Sequence, residues 1–138
     1  MTITRARPLT DADYATLAAF RHALRRFVAF SEAEAKAAGL TPQQHQALLA
    51  IKGKGGDAGL SVGEIAAHLL IRHHSAVELV DRMEASGLVR RAADSVDGRR
   101  ILVVPTRRAE RLLGDLSAIH LEELRASRQG LLDLLRRL

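Results

Sequence analysis

The sequence predicts a mainly α-helical domain that carries one small β-hairpin. Aromatic residues make up only 3% of the chain, so Ala, Leu, Val and Ile must build its core, and Ala and Leu favour helices. Thr41 to Gln44 and Ser61 to Glu64 both have the residue pattern of a capping box, which marks a helix start. Two β-like segments, 88–92 and 100–104, flank a turn at Asp94 to Gly98.

The first helix is predicted from about Asp11 to Ala38, with Thr10 or Asp11 as its cap and Gly39 at its end. Its apolar residues recur three and four positions apart and so share one stripe: Leu17, Phe20, Leu24 and Phe27. A helix of this length is long for a lone small domain. We therefore expect part of its apolar face to pack on a second chain.

Three shorter helices are expected next. The second runs from Pro42 to about Lys52 and is followed by a flexible surface loop, 53–59. The third begins after Ser61 and ends near Leu70. The fourth spans the residues from His73 to just before Gly87, with a buried stripe formed by Ala76, Leu79, Val80 and Met83.

Beyond the hairpin, Pro105 closes the second strand because it has no N–H to donate. Apolar residues then recur at helical spacing from Thr106 to the end of the chain, with a break expected near Ser127 to Gly130. The predicted order is four helices, two strands and two helices.

Composition excludes several classes of protein. With no Cys, the chain cannot form disulfides, thiolate zinc sites or thiol-based redox sensors. Its first 14 residues lack the apolar stretch of a signal peptide, and no apolar run approaches the roughly 20 residues of a membrane span. A cytoplasmic protein without membrane partners is the expectation.

Catalytic and metal-binding patterns are not evident. His73 and His74 are adjacent, so on a helix they point in different directions and make a poor metal pair. No phosphate-binding loop, nucleophile elbow or paired-carboxylate motif occurs. We predict a protein that is not an enzyme and needs no cofactor or metal.

Positive charge concentrates in one part of the chain. The formal net charge is +5, and residues 90–111 hold seven arginines against three carboxylates. An arginine-rich hairpin after two short helices suits duplex DNA, because a helix fits the major groove and arginine binds phosphate and guanine. A solvated arginine-rich surface is the alternative. The candidate contacts on the fourth helix are His73, His74, Ser75, Glu78 and Arg82, although Arg82 could instead pair with Glu78 four residues away.

The segments 40–51, 60–69, 73–89 and 90–106 together resemble the MarR family of winged helix-turn-helix transcriptional regulators. The resemblance implies a single domain over 1–138. Long N- and C-terminal dimerisation helices, 10–38 and 107–138, would flank a winged helix-turn-helix DNA-binding lobe at 41–106. It also implies a homodimer that binds a pseudo-palindromic operator in double-stranded DNA.

The same resemblance assigns roles in the wing. Asp97-Gly98-Arg99 matches the family's Asp-x-Arg, in which the Asp orients an Arg into the minor groove. Arg90 and Arg100 flank this tip and are further candidate DNA contacts. Two residues depart from the family pattern. Arg72 stands where many members have a capping Ser or Thr, and Glu78 stands where they have a polar or basic donor, so the operator cannot be inferred from relatives.

Ligand control is implied by the resemblance alone. Members commonly bind a small aromatic or phenolic effector between the dimer helices and the DNA-binding lobe, where Arg26, Phe27, Phe30 and His45 fall by position. For the two Phe, a place in the core is favoured over a ligand site. The implied function is a sequence-specific DNA-binding regulator, more often a repressor, relieved by a ligand. The alternative is a helical dimer module that binds a small molecule or a protein without DNA. Effector, operator and direction of regulation stay open.

Overall fold

The computed structural model describes residues 7–138, so the first six residues of the segment used for the signal-peptide prediction lie outside it. The predicted mainly α-helical fold with one hairpin is confirmed. The elements are α1 (Asp11–Ala37), α2 (Pro42–Gly55), α3 (Val62–Leu69), α4 (His73–Ala85), β1 (Val89–Ala93), β2 (Ile101–Pro105) and α5 (Arg107–Leu135). β1 and β2 pair antiparallel, with Arg91 opposite Val103.

Local polar residues set the helix starts, largely as the sequence predicts. Thr41 and Ser61 both form complete capping boxes with the residue three positions on, and Thr10 forms a third with Asp13. Each box satisfies backbone N–H groups that have no partner inside the helix. The N-cap of α4 differs, because Arg72 makes no side-chain capping bond there.

The segment predicted as a flexible loop is neither wholly loop nor wholly exposed, which corrects the sequence analysis. α2 continues one turn past Lys52 to Gly55, and Gly59 and Leu60 are buried. The Leu60 N–H donates to the Val103 carbonyl at 3.1 Å, and the Val103 N–H donates back at 2.6 Å. Through this bridge Leu60 becomes a third segment of the sheet, paired with β2. The glycines weaken local propensity, but the tertiary contact of Leu60 overrides it.

The predicted break near Ser127 to Gly130 is wrong. α5 is one helix of 29 residues that passes through both positions. One glycine inside a helix costs about 1 kcal/mol, which a long helix with strong helix formers on either side tolerates. A hydrogen bond of 2.9 Å from Gln129 to Asp133 spans Gly130 on the helix surface. The strands also lie one residue later than predicted.

The core lies where α2, α4 and the sheet meet the first half of α5. Its largest fully buried apolar side chains are Leu48, Ile51, Ile65, Met83, Val80, Val89 and Val103. The terminal helices leave much of their apolar surface in solvent. On α1 the exposed residues include Leu17, Phe20, Leu24 and Val28, and on α5 they include Ile119, Leu121, Leu124, Leu132 and Leu135.

Candidate nucleic-acid interface

The outer face of α4 carries the side chains that the sequence analysis selected. His73, His74, Glu78 and Arg82 are exposed, and Ser75 is half-buried, whereas the predicted apolar stripe is buried. Within residues 7–138, Arg82 forms no ion pair with Glu78, so the alternative of a mutually neutralised pair is not what the structure shows. The face thus presents cationic, neutral and anionic groups side by side.

The wing tip is a turn shaped by its own aspartates. Asp94 accepts a hydrogen bond from the Val96 N–H at 3.0 Å, and Asp97 accepts one from the Arg99 N–H at 3.2 Å. The Asp97 carboxylate also lies 3.6 Å from Arg99 Nε, the ion pair that the resemblance implies. The Arg99 side chain is nevertheless 95% exposed. A cation is therefore held at the tip with its charge directed into solvent.

Two other wing arginines face inward, toward the helices. Arg100 pairs with Glu64 of α3, and Arg91 pairs with carboxylates of α4. Arg90, next to Arg91 on β1, is exposed and has no ion pair among the described residues. The arginines of the wing thus divide into a group that is available to an outside anion and a group whose charge is already balanced.

A second cluster lies at the junction of α1, α2 and α5. Phe27 and Phe30 meet the His120 ring edge-on, with centroids 6.0 and 5.4 Å away, and the His45 ring lies 4.9 Å from it. Both Phe are half-buried and His45 is 2% exposed. Three of the four predicted ligand-site residues therefore converge. Arg26 is exposed and takes part in no hydrogen bond or ion pair in the described part of the chain.

His120 and Ser31 belong to this cluster, although the sequence analysis did not place them there. His120 Nδ1 lies 2.6 Å from the Leu116 carbonyl, which can only accept, so Nδ1 carries the proton. His120 Nε2 lies 2.8 Å from the Ser31 hydroxyl oxygen, within hydrogen-bond distance. The available signal was helical spacing, since His120 follows the inward residues Leu113 and Leu116 on the same stripe.

His45 has an unsatisfied polar atom. Its Nδ1 is buried and has no hydrogen-bond partner among residues 7–138. Burial first, and the nearby His120 second, lower the pKa of His45 below its ordinary value of 6.5. Both effects disfavour the charged ring, and we infer that His45 is neutral near pH 7. A buried polar atom without a partner is uncommon in folded proteins and costs stability.

The His45 environment predicts how stability depends on pH. Because the pKa is lower in the folded than in the unfolded chain, unfolding takes up a proton once the pH falls below about 6.5. This part of the stability should be complete above that pH and be lost as the pH falls toward the folded pKa. Melting temperatures across this range should fall less steeply for His45→Gln than for the unmodified protein. Equal slopes would contradict the neutral buried ring.

No group of three or more His, Asp or Glu side chains within residues 7–138 could hold a metal ion. In the same range, no helix is both long and apolar enough to cross a bilayer.

Two short helices in a helix-turn-helix, followed by a β-wing with an exposed arginine, define a winged helix-turn-helix protein. Residues 38–100, or 63 of the 138 residues, match the family model for MarR. Over this part, which includes α2, α3, α4 and β1, the chain is similar to the MarR family of transcriptional regulators, which are not enzymes.

Two relatives show the same similarity. The chain is 34% identical over 111 residues to the HTH-type transcriptional regulator TtmR of Methylorubrum extorquens, covering 80% of the chain and 52% of TtmR. It is 33% identical over 98 residues to the uncharacterized HTH-type transcriptional regulator YcgE of Bacillus subtilis, covering 70% and 61%. The matches therefore span little more than half the length of these two relatives.

Two solved structures share the fold. NadR in complex with 4-hydroxyphenylacetate superposes with a TM-score of 0.71 at 21% identity, covering 95% of this chain and 86% of NadR. A mutant of MepR from S. aureus bound to an oligodeoxyribonucleotide gives 0.65 at 20% identity, covering 89% and 84%. Identities at this level establish the architecture.

Proposed function

We propose that the protein is a homodimeric transcriptional regulator that binds a pseudo-palindromic site in double-stranded DNA and represses until a small aromatic or phenolic ligand binds. One observation carries the DNA-binding part. The Arg99 guanidinium is anchored by Asp97 at the wing tip yet almost fully exposed. Such an arginine suits the narrow, electronegative minor groove. The MepR mutant of the same fold was solved with an oligodeoxyribonucleotide, which supports the proposal.

On α4 the proposed contacts divide by chemistry. Arg72 and Arg82 are exposed cations for phosphate or guanine, and His73, His74 and Ser75 are polar groups near the start of the helix. Glu78 lies on the same face, where it would repel phosphate but can accept a hydrogen bond from cytosine N4. We therefore assign Glu78 to sequence discrimination and not to affinity.

In the wing we propose Arg99, positioned by Asp97, as the minor-groove contact and Arg90 as a phosphate contact. Arg100 remains a predicted contact. Its guanidinium already pairs with Glu64, so a phosphate would have to compete with that carboxylate. Its contribution to affinity should be smaller than that of Arg99.

Homodimerisation is proposed from the terminal helices, and the division into a 10–38 plus 107–138 dimerisation region and a 41–106 DNA-binding lobe is proposed with it. α5 bears an open apolar groove that includes Leu124 and Leu132, and α1 bears an open groove in which Leu24, Val28 and Ala29 lie beside Arg21, Arg25 and Glu32. Exposed apolar side chains on both terminal helices are typical of a surface that another chain covers. A two-fold dimer would present two copies of α4 to the two halves of a pseudo-palindrome.

The effector site is proposed at the cluster of Phe27, Phe30, His45 and His120, with Ser31 on its edge. The half-buried aromatic rings offer apolar contact, and the unpartnered His45 Nδ1 offers a hydrogen bond to a phenol or carboxylate. Arg26 stays part of this proposal only if its side chain turns inward. NadR, which shares the fold, was solved with 4-hydroxyphenylacetate. A ligand here would contact the terminal helices and the lobe together, and could favour one spacing of the lobes.

Arg99→Ala tests the DNA-binding proposal. Mobility shift or fluorescence anisotropy on the protein's own upstream region should show specific binding that weakens steeply with salt, as counterion release requires. The variant should lose about 1–3 kcal/mol of binding free energy per protomer, because the minor-groove cation is gone. Lys54→Ala is the control, since it removes an exposed cation of α2 that lies outside the proposed dimerisation helices and the proposed DNA contacts.

Unchanged affinity in Arg99→Ala would make the wing assignment wrong. If the unmodified protein shifts no duplex even at low salt, the regulator proposal itself fails. A phenolic carboxylate that then raises the melting temperature, with no effect on DNA, would favour the alternative of a ligand-binding dimer module.

A further inference from the structure

Arg91 occupies a different environment from its neighbours in the basic stretch 90–111. One nitrogen of its guanidinium lies 2.7 Å from Asp81 Oδ1, and another lies 2.9 Å from Glu84 Oε1. Its backbone N–H also donates to Glu84 Oε2 at 3.2 Å. The Arg91 side chain is 28% exposed, although Arg90 beside it is exposed. Two carboxylates of α4 therefore hold this arginine of the wing.

The electrostatics of this site make Arg91 a poor phosphate ligand. One cation faces two carboxylates, so the cluster carries a net charge of about −1 and repels an approaching phosphate. The hydrogen bond with Asp81, together with Glu84, raises the pKa of Arg91 above its ordinary value. Arg91 is thus charged at every working pH, and that charge is already satisfied within the protein.

The contacts of Arg91 with Asp81 and Glu84 connect the wing to α4. The wing is proposed to bind the minor groove of DNA, and α4 the major groove. Asp81 and Glu84 are three residues apart on α4, so both face β1. Arg91 lies at the centre of β1, opposite Val103, which is itself bridged to Leu60 on its other side. The contacts of Arg91 with Asp81 and Glu84, here called the strut, therefore connect α4 to the middle of the hairpin and not to its tip.

We propose that Arg91, through Asp81 and Glu84, is a positioning residue that fixes the wing relative to α4, so that major-groove and minor-groove contacts form together. This inference rests on the proposed DNA-binding function. It separates the wing arginines into proposed DNA contacts, which are Arg90, Arg99 and the more weakly contributing Arg100, and a positioning residue that does not touch DNA, Arg91.

Arg91 either binds phosphate or positions the wing. The double variant Asp81→Ala plus Glu84→Ala should change DNA affinity in opposite directions in these two cases. It adds two units of net positive charge and frees Arg91, so a phosphate-binding Arg91 would make DNA binding tighter and more salt-dependent. A positioning Arg91 predicts affinity about tenfold weaker, a loss of about 1.4 kcal/mol, with the salt slope unchanged. Ala at both positions preserves the helix propensity of α4.

Arg90→Ala is the matched control on the adjacent residue. It should reduce the slope of log affinity against log salt by about 0.9 for each phosphate that the protein no longer neutralises. Tighter binding or a steeper slope in the double variant would overturn the positioning role. A triple variant that adds Arg91→Ala to the double variant should keep the salt slope of the double variant. A smaller slope in the triple variant would also overturn the positioning role.

A second measurement separates this inference from the proposed function. If the unmodified protein binds no duplex, the proposed function fails, but the strut can still be tested by backbone hydrogen exchange. The amides of Leu88 to Ala93 should exchange faster in the double variant, while the melting temperature stays close to that of the unmodified protein. Unchanged hydrogen exchange at Leu88 to Ala93 would show that Asp81 and Glu84 do not hold the wing in place.

Discussion

Leu24→Asp is expected to convert the protein into a folded monomer that no longer binds its operator tightly. Leu24 is 43% exposed and lies in the open groove on α1, which we propose that a second copy covers. Leu24→Asp would replace apolar contact with a carboxylate that must lose its water in the interface, a cost that the neighbouring Arg21 and Arg25 offset only in part. A monomer engages one half-site only, and loss of the linked second half-site should weaken binding by about 10²-fold to 10⁴-fold.

Sedimentation or light scattering measures the oligomeric state, circular dichroism the helicity, and anisotropy the DNA affinity. Leu49→Asp is the control, because Leu49 is 45% exposed on α2, outside the proposed interface, and receives the same charge in the same kind of element. A Leu24→Asp protein that remains dimeric would show that this groove is not the interface. Monomers with undiminished affinity would show that dimerisation is not needed for binding.

Gly59→Ala should destabilise the wing and the whole domain. The backbone at Gly59 has φ +86°, and an added Cβ would lie 2.2 Å from the Val103 carbonyl oxygen and 2.6 Å from a Val104 methyl. The chain must move away, which breaks the bridge between Leu60 and Val103. Left-handed backbone strain and overpacking together predict a loss of about 2–5 kcal/mol in the free energy of unfolding.

Gly39→Ala isolates the steric part of this prediction. Gly39 has nearly the same φ as Gly59, +83°, but an added Cβ there meets nothing within 4 Å. Chemical denaturation should therefore show a loss of about 1 kcal/mol for Gly39→Ala, the cost of the backbone conformation alone. Equal losses in the two variants would mean that the close approach to Val103 does not constrain the wing.

The helix starts could be predicted because they depend on neighbouring residues. Thr41 and Ser61 cap their helices through hydrogen bonds that span three residues, and such patterns are visible in the sequence. The end of α2 and the continuity of α5 could not be predicted in this way. Glycines at 53, 55 and 130 suggest loops by propensity. At the end of α2 the buried Leu60 lies against Gly55, and in α5 the helix formers on either side of Gly130 outweigh its cost of about 1 kcal/mol.

The candidate site shows the same division. Exposure of the polar face of α4 follows from helical periodicity, and the contact between Asp97 and Arg99 is local. Whether a given arginine is available to DNA depends on carboxylates elsewhere in the chain, such as Glu64, which is 36 residues from Arg100. From composition alone, Arg91 and Arg100 are two more basic residues of the wing. In the structure their charge is balanced by carboxylates of α4 and α3.

By itself the sequence determined the helical class of the fold, the helix caps, the buried stripe of α4 and the exposed wing tip. The physical reason is that capping, periodicity and tight turns act over only a few residues. The tertiary structure decided the third partner in the sheet, the convergence of His45 and His120, and the pairing of Arg91 with α4. These contacts join residues that lie far apart in sequence, and their burial and electrostatics arise only when the chain is packed.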